Sequence, residues 1–220
     1  MRVLVKSMFT YQYQQPKEYH FSLDSIYLAK WVAREWSGHS NLEKCRVLDL
    51  CAGCGVVGLE LSYHLRELKK FDFIEVQDIY TSYFQQNVAM VNRNELQLTW
   101  HLLNYEILMT QPWHNKYDLI VSNPPYFNPN EGMLSPSTFK NRCRFFLDSS
   151  FENFIQGIIN TLTPNGSAYF LQPQTMQHGY DRVQDLQIML QNTAFSAKKI
   201  AEFRSVNVVL IKKKHYDFLN

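Results

Sequence analysis

The chain contains 220 residues, of which 45% are hydrophobic and 19% are charged, and its formal net charge is +2 at pH 7. This composition is typical of a globular protein, and the length suits one α/β-sized domain with a full hydrophobic core. No apolar run approaches the roughly 20 residues that a membrane helix needs, so we expect no membrane span, no export signal and a cytoplasmic location. The small net charge argues against binding nucleic acid by charge alone.

Four cysteines, Cys45, Cys51, Cys54 and Cys143, do not make a disulfide framework in a chain of this length. Cys51 and Cys54 have the spacing of a zinc or redox pair. A zinc site needs a second pair of ligands, however, and no histidine or cysteine cluster supplies one. We therefore expect no metal site.

The predicted elements alternate between helices and strands along the chain. The first helix begins near Ser22 and ends at about Trp36, before Gly38. From Cys45 onward we expect seven strands, at residues 46–50, 71–76, 99–103, 117–122, 167–171, 199–203 and 206–212. Helices are predicted around residues 57–68, 80–91 and 151–162, and residues 163–166 form a predicted turn. The alternation predicts an α/β, Rossmann-like fold with a mostly parallel seven-stranded sheet and helices on both faces.

A glycine-rich loop follows the first strand. Residues 53–58 read Gly-Cys-Gly-Val-Val-Gly, a GxGxxG pattern between a strand and a helix, which is typical of loops that approach a nucleotide-like ligand. Asp49 lies four residues before Gly53, and a buried carboxylate there would repel the pyrophosphate of a dinucleotide. The same carboxylate would stabilise the ammonium and sulfonium cations of S-adenosylmethionine. The pattern therefore favours this methyl donor over NAD.

Polar residues also end the second and third strands, where ligands of parallel sheets bind. Glu75 is placed to accept hydrogen bonds from both hydroxyls of a ribose, and the alternative is a strand-end carboxylate facing water. Asn104 offers an amide for reading the adenine of the cofactor, and the alternative is a turn residue.

The most specific feature follows the fourth strand, where the sequence reads Asn123-Pro124-Pro125-Tyr126-Phe127. Two prolines make a rigid loop without backbone donors at their positions, so its carbonyls and the Asn123 side chain remain as acceptors. The Tyr126 ring offers a stacking surface, and Phe127 either walls the same pocket or packs into the core. Such a loop is a socket for a planar amide or amino group.

These motifs resemble the class I S-adenosylmethionine-dependent methyltransferases with an Asn-Pro-Pro-(Tyr/Phe) motif, over about residues 45–215. Members of that group methylate nitrogens conjugated to a π system, such as adenine N6 or a glutamine side chain. The stretch from Gln15 to Ala29, with Phe-Ser-Leu-Asp-Ser at 21–25, is similar to the lead-in of bacterial enzymes that modify the adenine beside the anticodon of valine tRNA. The resemblance implies tRNA adenine N6 as the target. It also implies that residues 1–44, the lead-in, pack over the cofactor site and that residues 45–220 form the methyltransferase domain.

The motifs and the resemblance together give a set of expected site residues. The expected catalytic residues are Asn123, Pro124, Pro125 and Tyr126. The residues expected to bind S-adenosylmethionine are Asp24, Asp49, Cys51, Ala52, Gly53, Gly55, Glu75, Val76, Asn104 and Asn123. The residues expected to bind the substrate are Tyr126, Phe127, Arg142, Arg144, Lys212, Lys213 and Lys214. The basic members of this last set either contact phosphate or form a solvated surface.

Three alternative functions stay open from the sequence. In the first, the chain is an enzyme of the same class that acts on ribosomal RNA, DNA or a protein glutamine. In the second, the chain is a non-catalytic cofactor-binding subunit of a partner complex, which the intact Asn-Pro-Pro-Tyr motif disfavours. The third is an NAD-dependent oxidoreductase, which Asp49 disfavours.

Overall fold

A computed structural model describes residues 9–174 and 182–214. Its strands are β1 (Arg46–Leu50), β2 (Lys70–Glu75), β3 (Gln97–Leu102), β4 (Tyr117–Ser122), β5 (Leu162–Pro173), β6 (Phe195–Phe203) and β7 (Val206–Lys213). They form one sheet in the order β3-β2-β1-β4-β5-β7-β6. Strands β1 to β5 pair in parallel, and β7 runs antiparallel to both β5 and β6. The predicted Rossmann-like, mostly parallel sheet of seven strands is confirmed.

Helices cover both faces of this sheet. Those in the described residues are α1 (Leu23–Trp36), α2 (Val56–His64), α3 (Ile79–Ala89), α4 (Thr138–Arg144), α5 (Phe151–Thr161) and α6 (Arg182–Leu190). One buried apolar cluster joins α1, α2 and α3 to the sheet, and a second joins α5 and α6 to the opposite face. Neighbouring residues of β1 enter different clusters, Val47 the first and Leu48 the second. Both faces of β1 are therefore buried, as a central parallel strand requires.

Helix lengths differ from the predictions in identifiable ways. The predicted helix over residues 57–68 ends at His64, although Leu65 and Leu68 beyond its end remain buried in the core. Their apolar spacing reflects burial rather than helical backbone. Helices α4 and α6 were not predicted. Both are short, at 7 and 9 residues, and short helices carry too few turns for a clear periodicity.

The predicted turn at residues 163–166 is wrong, because this stretch belongs to β5. The strand starts at Leu162, which pairs with Tyr117, and a shift of register before Leu119 accommodates the extra residues. Gly166 lets β5 approach β4 closely, because a Cβ at Gly166 would lie 2.9 Å from the Tyr117 carbonyl oxygen. The Pro-Asn-Gly sequence signals a bulge in this context rather than a chain reversal.

The described part of the chain contains no helix that is both long and apolar enough to cross a membrane.

Candidate functional site

A cavity of about 250 Å³ lies at the carboxyl ends of β1, β2 and β4. Four segments build its wall: the described lead-in with the start of α1, the glycine loop (residues 51–55), the end of β2, and the Asn-Pro-Pro-Tyr loop (residues 123–126) with residues 142–148. These segments are distant in sequence. They meet because β2, β1 and β4 are parallel neighbours, whose carboxyl ends share one edge of the sheet.

The glycine loop is a tight turn with left-handed backbone. Cys51, Gly53 and Gly55 have φ angles of 57°, 54° and 82°, a region that glycine adopts without steric cost. Cys51, Ala52 and Gly53 line the cavity. Gly55 does not; it packs against Phe84, and a Cβ at Gly55 would lie 2.7 Å from that ring. Gly55 thus packs behind the loop, and its expected ligand contact stays a prediction.

Asp49 lies beneath the glycine loop and is not part of the cavity wall. Its carboxylate is fully buried, and Oδ2 accepts a 2.7 Å hydrogen bond from the Gly58 amide. Burial raises the pKa of Asp49 well above its usual range. Its Oδ1 is also buried and has no hydrogen-bond partner among the described residues, and the expected contact with a cationic ligand stays a prediction. Because Gly58 has no side chain, the carboxylate turns toward α2 and supports the loop from below.

Glu75 ends β2 with its buried carboxylate facing the glycine loop. Its Oε2 accepts a 2.8 Å hydrogen bond from the Gly53 amide, and Oε1 accepts bonds of 2.9 and 2.8 Å from the amides of Val76 and Gln77. Burial raises the pKa of Glu75, although the three amide bonds favour the charged form. Both Glu75 and Val76 line the cavity. The carboxylate ties the loop to β2 and still offers lone pairs to hydroxyl groups of a ligand.

Asp24 brings a second carboxylate to the cavity, from the first turn of α1. Its Oδ2 accepts a 2.8 Å hydrogen bond from the Ser22 hydroxyl, whereas Oδ1 is buried and has no hydrogen-bond partner among the described residues. Leaving a buried acceptor without a donor costs free energy, which a cationic donor in the cavity would recover. This unpartnered oxygen and the carboxylate of Glu75 are hydrogen-bond acceptors. Together they fit a ligand that carries an ammonium group and sugar hydroxyls.

Asn123 follows β4 directly, and its side-chain amide is held at both ends. Nδ2 donates a 3.0 Å hydrogen bond to the Ser25 hydroxyl, and Oδ1 accepts a 2.8 Å bond from the Tyr126 hydroxyl. Burial raises the pKa of Tyr126, so the phenol stays protonated and remains a donor. An amide oxygen has two lone pairs. Asn123 Oδ1 therefore retains one acceptor position for a group in the cavity.

The backbone after Asn123 is fastened to the segment that follows α4. The amides of Tyr126 and Phe127 both donate to the Arg144 carbonyl, at 2.9 and 3.0 Å, and the Phe146 amide donates to the Phe127 carbonyl at 2.8 Å. Pro124, Pro125 and Phe127 line the cavity, and the Phe127 ring also packs 5.8 Å from the buried Phe145 ring. Phe127 thus walls the cavity and also packs against a buried ring, the two placements that the sequence left open.

The two arginines of α4 line the cavity in different ways. Arg142 forms an ion pair with Asp148, with 2.7 Å between Nη2 and Oδ1; hydrogen bonding to that carboxylate raises the pKa of Arg142. Arg144 is exposed, and its guanidinium carbon lies 6.0 Å from the Phe127 ring centre. Arg144 therefore places an exposed cationic side chain at the rim of the cavity.

Asn104 is not part of the cavity wall, although its neighbours Leu103 and Tyr105 are, and its expected role in reading an adenine stays a prediction. Its side-chain oxygen accepts a 3.0 Å hydrogen bond from the Glu106 amide, and its nitrogen donates a 2.7 Å bond to the Asp148 carbonyl. Asn104 therefore caps a short helical turn and anchors the segment that carries the ion-paired Asp148.

Lys212, Lys213 and Lys214 lie at the opposite edge of the sheet from the cavity. Strand β7 is antiparallel to β5 and pairs Lys212 with Ser167, which in turn pairs with Leu119 in the first half of β4. Lys214 Nζ donates to the carbonyls of Leu190, Gln191 and Thr193 at 3.3, 3.0 and 2.8 Å. Lys214 thus caps the end of α6, and its expected phosphate contact stays a prediction. For Lys212 and Lys213 a phosphate contact remote from the cavity stays a prediction.

Several cavity residues are not singled out by the sequence patterns. Ser25 is buried in α1 and contacts Asn123. Gln77, Tyr80 and Cys143 form a polar group in the wall, where the Cys143 sulfur lies 3.4 Å from Gln77 Nε2 and 3.3 Å from the Tyr80 hydroxyl. Only the tertiary fold brings α1, α3 and α4 to one cavity, so local sequence signals do not reveal these residues.

The cysteines are all free thiols. Burial raises the pKa of Cys51 and Cys54, the latter to about 12, so neither is a ready thiolate. Over residues 9–174 and 182–214, no group of three or more His, Cys, Asp or Glu side chains is placed to hold a metal ion.

Comparisons with known proteins agree with this fold. Solved structures that share the fold include a SAM-dependent methyltransferase from Agrobacterium tumefaciens, with a TM-score of 0.60, 10% identity and coverage of 88% of this chain and 63% of the other. Another is TrmN from Thermus thermophilus, with a TM-score of 0.55, 15% identity and coverage of 86% and 49%. The chain therefore shares the Rossmann-like fold of these solved structures.

Sequence comparisons give one matching family model and several curated relatives. A family model described as "Conserved hypothetical protein 95" matches residues 30–136. The tRNA1(Val) (adenine(37)-N6)-methyltransferase of Bacteroides fragilis is 27% identical over 146 residues, which are 66% of this chain and 56% of the relative. The release factor glutamine methyltransferase of Flavobacterium psychrophilum is 31% identical over 99 residues, 45% of this chain and 33% of the relative. The chain thus spans between a third and somewhat over half of these two curated relatives. The chain is thus similar in sequence to curated methyltransferases and in fold to a SAM-dependent methyltransferase.

Proposed function

We propose that the chain is an S-adenosylmethionine-dependent N-methyltransferase whose target is adenine N6 in tRNA, the anticodon-loop adenine of valine tRNA. The observation that carries this proposal is the meeting of Asn123 with the glycine loop, Glu75 and Asp24 around one cavity. The names of several relatives support the tRNA target. A tRNA substrate agrees with the expected cytoplasmic location.

Asp24, Glu75 and the glycine loop are the residues that would hold the cofactor. The unpartnered Oδ1 of Asp24 suits its ammonium group, and Glu75 suits the ribose hydroxyls. When bound there, S-adenosylmethionine supplies an electrophilic methyl group on a sulfonium. Asp49 supports the loop from beneath, through the hydrogen bond that it accepts from the Gly58 amide.

Asn123 and the following loop would orient the target nitrogen. Adenine N6 is a poor nucleophile, because its lone pair is delocalised into the ring. The free lone pair of Asn123 Oδ1 and the Pro124 carbonyl accept the two N6 protons, which lets the nitrogen pyramidalise and direct its lone pair outward. The bonds also stabilise the positive charge that develops on N6, and most of the rate gain comes from alignment. Water accepts the proton after transfer, so no strong base is required.

The remaining wall residues would bind the base and its backbone. The Tyr126 ring stacks on the adenine, a contact worth about 1–3 kcal/mol. Arg144 at the exposed rim contacts a neighbouring phosphate. A target base in an anticodon loop is unpaired, so little of the usual cost of base flipping has to be met.

Protein glutamine is the second candidate target. It is favoured by the similarity of this chain to a release factor glutamine methyltransferase over 99 residues. A glutamine side chain presents the same planar amide nitrogen to Asn123. Arg144 favours the RNA target, because a phosphate needs a cation at the rim and a glutamine side chain does not.

The test is methyl transfer from labelled S-adenosylmethionine to four acceptors: valine tRNA transcript, ribosomal RNA, duplex DNA and release factor. The proposal predicts label in the tRNA that digests to N6-methyladenosine. A matched transcript with guanosine in place of the adenosine beside the anticodon should take up no label. Label in release factor alone would replace the tRNA target by the glutamine target, and label in none of the acceptors would refute the proposal.

A further inference from the structure

The stretch of lead-in before α1, residues 9–22, is here called the strap. Tyr19, Phe21 and Ser22 of the strap line the cavity on the side that faces the Asn-Pro-Pro-Tyr loop. The Gln15 side chain closes the turn before them by accepting a 3.0 Å hydrogen bond from the Phe21 amide. The position of this wall therefore depends on how residues 9–15 are attached to the body of the protein.

Two buried polar side chains make that attachment. The first is Glu60 of α2, whose Oε1 accepts hydrogen bonds from the Thr10 amide at 2.7 Å and from the Tyr13 hydroxyl at 3.0 Å. Its Oε2 accepts a 2.9 Å bond from the Thr10 hydroxyl. Glu60 is fully buried, so its carboxylate relies on these donors and on the neighbouring His64.

The second side chain is Asn87 of α3, which is also fully buried. Its Oδ1 accepts a 2.6 Å hydrogen bond from the Gln14 amide, and its Nδ2 donates a 3.0 Å bond to the Gln14 carbonyl. The same Nδ2 donates a 2.9 Å bond to the carbonyl of Cys54 in the glycine loop. Because all three partners are backbone groups, the orientation of the amide is fixed.

We infer that Asn87 is a positioning residue that couples the strap to the glycine loop. It contacts neither the ligand cavity nor the reacting atoms. A shift of the glycine loop around a ligand moves the Cys54 carbonyl, and Asn87 passes this change to Gln14. Ligand binding and docking of the strap on α3 are therefore linked. Each raises the equilibrium constant of the other by the same factor. This inference rests on the proposed function for the identity of the ligand.

Substituting Asn87 by serine removes the bridge, and Gln85→Ala is the matched control, since Gln85 is an exposed residue of the same helix. Two quantities are measured: the affinity for S-adenosylhomocysteine by calorimetry, and the hydrogen exchange of the strap amides with and without this compound. In the wild type and in Gln85→Ala the compound should slow exchange at Gln14 and Phe21.

The Asn87→Ser variant should bind the compound more weakly, by roughly 5- to 150-fold, the usual range of coupling between two sites. Binding should no longer slow exchange in the strap. A folded Asn87→Ser protein with wild-type affinity and wild-type protection of the strap overturns the inference.

A second variant keeps the test decisive if Asn87→Ser does not fold. Gln14→Pro deletes the Gln14 amide donor from the strap side, at an exposed position outside the core. Weaker binding with loss of strap protection supports the coupling, and unchanged affinity contradicts it.

Failure of the proposed function would show itself separately, as a wild-type protein that does not bind S-adenosylhomocysteine. The coupling is then decided by exchange in the ligand-free proteins. Faster exchange of the Gly53 and Gly55 amides in Asn87→Ser than in Gln85→Ala supports it, and equal exchange overturns it.

Discussion

The substitution Gly55→Ala tests whether the glycine loop is fixed by backbone sterics and by packing together. Gly55 has a φ of 82°, and a Cβ there would lie 2.7 and 2.9 Å from two carbons of the Phe84 ring. A left-handed backbone costs a non-glycine residue about 1–2 kcal/mol. Overpacking a buried site costs about 1–3 kcal/mol more. We therefore expect the free energy of unfolding to fall by about 2–5 kcal/mol.

Gly38→Ala is the control that separates these two contributions. Gly38 follows the end of α1 with a φ of 91°, and a Cβ there would have no atom within 4 Å. This variant should lose only the backbone contribution, about 1–2 kcal/mol. Urea unfolding followed by circular dichroism gives both values, provided that the slope of the transition is unchanged. Equal losses at the two glycines would refute the packing contribution of Phe84, and no loss at either would refute the backbone argument.

Three further predictions concern single side chains. Tyr126→Phe removes the hydroxyl that bonds to Asn123 Oδ1 but keeps the ring; methyl transfer should fall far less than in Tyr126→Ala, which loses a stacking contact of about 1–3 kcal/mol, and equal rates in the two variants would argue against stacking. Glu75→Gln puts an NH₂ group where a carboxylate oxygen accepts a hydrogen bond from a backbone amide. Because two donors then face each other, calorimetry should show weaker binding of S-adenosylhomocysteine. Because burial raises the pKa of Glu75, wild-type affinity should be lost as the pH falls through a value above the usual glutamate range of about 4.3, and a variant with the same pH profile would contradict this role. For Asp72, burial alone would raise the pKa, but hydrogen bonds from His101 and Tyr117 and the charge of Lys116 lower it overall. The ionised Asp72 therefore stabilises the fold fully above the unfolded pKa of about 3.9. This contribution is lost as the pH falls from there through the lower pKa of the folded state. Asp72→Asn should cost about 1–3 kcal/mol at pH 7 and less near pH 3, and a loss independent of pH in urea unfolding would count against the charge.

The alternation of elements predicts the sheet because buried parallel strands and their covering helices have strong local patterns. The strand at Arg46–Leu50 and the amphipathic helix from Phe151 are examples, and both occur as expected. The start of β5 was missed, since Pro164 and Gly166 act as turn residues in most contexts. Only the neighbouring Tyr117 explains why they lie in a strand here.

The site shows the same division between local and tertiary information. The glycine loop and the Asn-Pro-Pro-Tyr loop are contiguous motifs, and most of their residues reach the cavity wall as expected. The orientation of an isolated carboxylate or amide is not local. Asp49 turns away because Gly58 leaves room behind it, and Asn104 turns toward the Asp148 carbonyl. The contacts of Ser25 and Asn87 involve segments far away in sequence, so local patterns do not predict these contacts.

The central claim is that Asn123 orients a target nitrogen for methyl transfer, and single-turnover kinetics test it most directly. Enzyme in excess over labelled valine tRNA transcript would be mixed with saturating S-adenosylmethionine, for the wild type and for Asn123→Ala. Because the cofactor is saturating, we expect the variant to differ in the transfer step itself and to transfer the methyl group about 10²- to 10³-fold more slowly, the cost of losing one transition-state contact. Transfer by Asn123→Ala at close to the wild-type rate would contradict the claim.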